Sequence, residues 1–264
     1  MAFDLDTYKR IVAPVDVAEI DFDAFRTTPL DADSLRCLSY MHDVEHHTSC
    51  YLRNLLNTKA HHDPEITTFL TLWSFEELWH GEAIARVLAM HEQPAGTARI
   101  RSMRERLGWK LSASPLMWMG FSAVTPSFLA VHMTFGVINE WTTQAGYARL
   151  RAVAGHPVLD DLLARIMKQE GRHIDFYLTR AVRELSASVA AQRATRRMLK
   201  RFWTPVGAKV MPDDETRHLI TTLFGDDAGR DAAARIDRRI DLLPGLQGLG
   251  LMERGRHEWT ASTC

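Results

Sequence analysis

The chain has 264 residues, 46% of them hydrophobic and 25% charged, the balance of a folded globular protein with room for one large domain. Its formal net charge of −1 gives no overall electrostatic case for binding nucleic acid. Cys37, Cys50 and Cys264 are odd in number and have no CxxC spacing, so they read as reduced thiols of a cytoplasmic protein.

In chain order, the N-terminus from Met1 to Asp6 is acidic and lacks an apolar run, so no secretory signal is expected. Residues 1 to 32 have no strong period and carry Pro14 and Pro29, which predicts an irregular arm with one short helix. Asp31 or Asp33 then caps a helix running to about Thr58, with Leu38, Met41, Glu45, Thr48, Leu52 and Leu55 facing inward. After a turn at His61-His62-Asp63, a second long helix is expected from about Pro64 to Met90. Phe69, Trp73, Glu77, His80, Ile84 and Val87 share one of its faces. Residues 97 to 110 are basic and are expected to be partly helical and on the surface. Residues 111 to 139 hold no Asp, Glu, Lys or Arg, a length that could span a membrane. Their serines and threonines, and the run into Glu140, favour a helix buried in the centre of a soluble bundle, with no membrane span.

A third long helix is predicted to begin by Pro126 at the latest and to reach about Ala154. Its inward residues are Leu129, Met133, Gly136, Glu140, Gln144 and Tyr147. Gly155-His156-Pro157 breaks it, and a fourth helix from about Val158 to Leu185 turns Leu159, Leu163, Ile166, Glu170, His173 and Tyr177 inward. Beyond it lie a basic helix near 192–201, a Pro/Gly turn, two shorter helices near 213–223 and 227–243, and a tail rich in Gly and Arg that is expected to be extended. The expected fold is all-α: a single domain over 1–264, with a four-helix core at about 33–186 and a helical extension at about 187–264.

The chemistry sits in a repeated pattern. Glu77 and His80 are three apart, as are Glu170 and His173, so each pair shares a helix face. A core-position Glu precedes each pair, Glu45 by 32 residues and Glu140 by 30, spacings that return both glutamates of an antiparallel helix pair to one height. Four Glu and two His in this arrangement are the ligand pattern of a carboxylate-bridged di-metal centre inside a bundle. Four carboxylates balance two divalent ions, and mixed carboxylate and imidazole ligation suits iron or manganese. His46 and His47 point off the core line and read as surface residues or as supports behind the ligands. Glu76 reads as a solvated or supporting carboxylate. His61 and His62 read as loop residues, and His132 as a satisfied core histidine.

These stretches resemble the soluble acyl-[acyl carrier protein] desaturases, di-iron enzymes of the ferritin-like superfamily. Phe75-Glu76-Glu77-Leu78-Trp79-His80-Gly81-Glu82 resembles that family's EExxHG(D/E) motif, and Gln169-Glu170-Gly171-Arg172-His173 its (D)ExRH motif. Glu140-Trp141-Thr142-Thr143 is similar to its ExxT, and the likeness covers roughly residues 35 to 185. The resemblance implies a ferritin-like four-helix bundle with additional C-terminal helices, a homodimer, and two iron ions per chain held by Glu45, Glu77, His80, Glu140, Glu170 and His173. It implies O₂ as co-substrate, a ferredoxin-like electron donor, and desaturation of a fatty acyl chain delivered on acyl carrier protein. Thr143 matches the threonine that assists O₂ activation. Gln169 stands where the family usually has Asp as support for a ligand histidine, and Trp79 where plant members have Arg. A related fold could instead serve a di-iron monooxygenase (hydroxylase or N-oxygenase) or a ferritin-type iron-oxidising protein. The basic stretch Arg193, Arg196, Arg197, Lys200 and Arg201 is a candidate docking patch for the acidic carrier.

Overall fold

The computed structural model describes residues 3–260, so Cys264 and the first two residues lie outside the described part. Among the described residues the chain is all-α, consistent with a helical bundle. Its helices are α1 (Leu5–Ile11), α2 (Ala24–Thr27), α3 (Ala32–Leu56), α4 (Pro64–Met90), α5 (Gly96–Val124), α6 (Phe128–Ala154), α7 (Pro157–Ser186), α8 (Val189–Phe202), α9 (Asp213–Phe224), α10 (Asp227–Asp241) and α11 (Leu251–Thr260), with a 3-10 turn at Lys59–His62. The residues fall into two compact groups, divided within α7 between Gln169 and Glu170.

The first group holds Asp4–Pro126 and Ala154–Gln169. Asp31 starts α3 by accepting from the Ser34 amide at 2.9 Å, and Asp63 starts α4 by accepting from the amides of Glu65 and Ile66, with Pro64 in the first turn. α3 packs chiefly on α4. Cys37, Leu38 and Leu55 of α3, and Ile66, Phe69, Leu70, Ile84 and Val87 of α4, are wholly buried. Each such large side chain contributes about 1.5–3 kcal/mol. A Cβ on Gly81 would lie 2.7 Å from the His46 ring, so the two helices meet there without room for a methyl. The arm before α3 carries two short helices rather than one: α1, capped by Asp4 accepting from the Thr7 amide, and the four-residue α2, which has no side-chain cap.

α5 departs most from expectation. Gly108, with φ 51°, divides it. Its first half is tied to α3 by a fork from Arg99 onto Asp43 at 2.7 and 2.9 Å, and by the Gly96 amide donating to His42 Nε2. Burial pushes the Asp43 carboxyl up, but His42 and Arg99 outweigh it and hold it below its usual value. The second half touches α3 through Asn54 donating to Ser114 Oγ and Arg53 donating to the Leu111 carbonyl. Its other side is open: Trp109 is 74% exposed, Leu116 67% and Val124 79%. The uncharged run 111–139 is therefore not one buried helix. Thr125-Pro126-Ser127 interrupts it, and only the part from Phe128 onward is mostly buried. No helix among the described residues is long and apolar enough to cross a membrane.

The second group holds Ser127–Val153 and the chain from Glu170. Gly136 of α6 faces the Tyr177 ring of α7 with no space for a Cβ. Arg149 of α6 donates to the Leu223 carbonyl and forks onto Asp226, the residue that caps α10. α9, α10 and α11 pack on one another around Leu223, Ile236, Ile240 and Leu251. The tail expected to be extended folds instead as α11. Asp237 of α10 accepts from the Met252 and Glu253 amides at 3.0 and 3.1 Å, a cap supplied from another helix. Arg196, counted above as a docking cation, donates to the carbonyls of Gln247 and Gly245 and so anchors the turn before α11.

Candidate metal centre

The two candidate triads are built alike. In the first group of residues, α3 presents Glu45, and α4 presents Glu77 and His80 one turn apart; they are 3%, 4% and 0% exposed. His80 Nδ1 lies 4.0 Å from Glu45 Oε2 and 3.8 Å from Glu77 Oε2. In the second, α6 presents Glu140, and α7 presents Glu170 and His173, all buried. His173 Nδ1 lies 3.1 Å from Glu170 Oε2 and 4.0 Å from Glu140 Oε2. In both triads a histidine Nδ1 faces the carboxylates of its own helix and of one other.

Buried Glu and His residues come close enough together, with ligand atoms within 4.8 Å, to hold a metal ion. These buried Glu/His groups are compatible with a metal site. Hard carboxylate oxygens with one imidazole nitrogen per group are a donor set for a divalent transition ion, and burial of four carboxylates without cations would be strongly unfavourable.

The surroundings of the ligands correct several expectations. Gln169, a departure from the resembled motif, does support one of the candidate histidines: His80 Nε2 donates to Gln169 Oε1 at 2.8 Å. An amide oxygen only accepts, so Nε2 carries a proton, and in the neutral ring Nδ1 is the nitrogen with the lone pair on the carboxylate side. Glu76 is not solvated. It is 0% exposed and accepts from the Tyr8 hydroxyl at 2.7 Å. His46 is not a surface residue; it is 8% exposed against Gly81, and burial and the neighbouring His42 lower its pKa to about 4. Burial, with Arg104 and Arg53, also brings His47 to about 4. His132 is buried between Phe128 and Tyr177 with its pKa lowered to about 3 by burial. Thr143 is half-buried on α6, one turn after Glu140, while the neighbouring Thr142 hydroxyl donates back to the Ile138 carbonyl. His61 and His62 lie exposed in the 3-10 turn.

Sequence reasoning missed Tyr8 and the Ala13 carbonyl, which accepts from Gln169 Nε2 at 3.1 Å. No spacing rule links residues 156 positions apart; the local signal was Tyr8, the aromatic residue of the short helix α1. A scan against protein-family models finds none that matches the chain, and a search of the curated proteins finds no match.

Proposed function

We propose that the protein is a di-iron, O₂-dependent oxidoreductase that desaturates a fatty acyl chain carried on acyl carrier protein. One observation carries this reading. Each compact group of residues holds a buried triad of two Glu and one His, Glu45 with Glu77 and His80 in one and Glu140 with Glu170 and His173 in the other. Each triad would hold an ion, and two Glu-Glu-His triads are the ligand set of a di-metal centre in a helical bundle. Two ferrous ions would neutralise the four carboxylates and, when bound, would supply the reductive activation of O₂ needed to attack an unactivated methylene. The chain's own part is to hold the six ligands dry and to fix the imidazole that faces them. Thr143, one turn from Glu140, would assist O₂ activation, a role that follows from the motif resemblance. The acyl substrate, its carrier and a ferredoxin-like donor follow from the motif resemblance.

The test is to load the protein with Fe(II), supply a chemical reductant and O₂, and offer a panel of acyl carrier proteins bearing different chains. Mass spectrometry of the products should show loss of two hydrogens. Gain of one oxygen would move the assignment to a monooxygenase. Iron oxidation with unchanged acyl chains, together with a cage-sized particle in light scattering, would move it to iron handling.

A further inference from the structure

The N-terminal arm reaches the ligand helices at three points. The Tyr8 hydroxyl donates to Glu76, the residue beside ligand Glu77. The Ala13 carbonyl accepts from Gln169 Nε2, and the Asp16 carbonyl accepts from Arg165 Nη1 at 3.0 Å, one turn earlier on α7. Ala13 precedes Pro14, which keeps it extended and keeps its carbonyl out of any helix. α1 has already ended at Ile11.

A primary amide is two-sided, and this one is oriented by what it faces. A backbone carbonyl can only accept, so the Gln169 NH₂ turns to Ala13 and the Gln169 oxygen turns to His80. That oxygen in turn requires a proton on His80 Nε2, and in the neutral ring this leaves Nδ1, beside Glu45 and Glu77, as the nitrogen with a lone pair. We propose that the N-terminal arm is a positioning element of the metal centre: the Ala13 carbonyl orients Gln169, and Gln169 sets the tautomer of His80 before any ion arrives. Without the carbonyl the amide can flip, present NH₂ to His80, and favour the tautomer whose proton sits on Nδ1. Tyr8 and Arg165 hold the arm in place and act only through this chain. The inference rests on His80 being a metal ligand for its consequence, but not for its geometry.

The experiment separates the two. In metal-free, full-length protein with ¹⁵N-labelled histidine, nitrogen shifts report the tautomer of His80, assigned by comparison with His80→Gln. Wild type should show the Nε2-protonated form. Gln169→Leu should show a mixture, and Tyr8→Phe with Arg165→Ala, which leaves Gln169 in place, should shift part of the population the same way. Gln169→Glu, which restores an acceptor, should return the Nε2-protonated form. Fe(II) affinity, read by chelator competition, should fall about 10- to 100-fold in Gln169→Leu, the usual effect of losing a partner behind a ligand histidine. A wild-type tautomer in Gln169→Leu, or in Tyr8→Phe with Arg165→Ala, overturns the proposal. If the tautomers behave as expected while wild type binds no Fe(II), the arm's role stands and the di-iron reading falls.

Discussion

Glu77 and Glu170 carry the most weight at the scale of single residues, because each lies beside the histidine of its own triad on one helix face. The double variant Glu77→Ala, Glu170→Ala should lose nearly all bound iron by elemental analysis, along with any oxo-bridged ferric absorption. Full iron content in that variant would remove the metal assignment. His132 makes a different prediction, about stability. Burial lowers its pKa from 6.5 to about 3, so the unfolded chain takes up a proton as pH falls below 6.5 while the fold does so only near 3. Acid therefore favours unfolding, by about 1.4 kcal/mol for each pH unit across that window. Between pH 6.5 and 5 the wild type should lose roughly 2 kcal/mol more than His132→Leu, read as the shift in urea midpoint at each pH. Equal losses would show that the ring is protonated in the fold.

Among elements, α4 and α5 show opposite relations between sequence and burial. On α4 the apolar positions recur at helical spacing, and Phe69, Ile84 and Val87 are wholly buried. On α5 the run from Leu111 to Val124 has no charge at all, yet Leu116, Met117 and Met119 are half exposed or more. Composition alone argues for burial of such a segment, but burial needs a neighbour on every side, and here α3 is in contact on one. Replacing Leu116 and Met117 together by Ser should therefore change the melting temperature by little, within about 0.5 kcal/mol for each site. Core truncations of the same residue types cost about 2–5 kcal/mol. A loss of that larger size would mean that α5 is covered in solution.

For the whole molecule, charge is distributed unevenly on a chain that is nearly neutral. α8 exposes Arg193, Arg197, Lys200 and Arg201, whereas Arg196 is engaged with backbone carbonyls. If the substrate arrives on an acidic carrier, opposite charge steers the encounter, with a reach of about 8 Å at physiological salt. Arg193→Glu with Arg197→Glu should raise the KM for an acyl-carrier substrate several-fold and leave kcat nearly unchanged, since the ligand residues are untouched. Added salt should raise the wild-type KM and affect the variant less. Identical KM and salt response would place docking elsewhere. Arg196 is left out of this pair because reversing it would break the turn that leads into α11.

The sequence by itself determined the long helices α3, α4, α6 and α7 and named six Glu and His residues that the fold buries as two triads. Those features are written in local terms. Caps at Asp31 and Asp63, breaks at Gly155 and Pro157, and a carboxylate three residues before a histidine all act within one or two helical turns. What tertiary structure decided lies between residues far apart in the chain. Tyr8 meets Glu76 across 68 positions, His80 meets Gln169 across 89, and Gln169 meets Ala13 across 156. The cap that makes α11 a helix comes from Asp237 on α10, and the exposure of α5 follows from which neighbour it lacks. A hydrogen bond depends on where two groups meet in space, and residue periodicity specifies only which face of a helix each group is on.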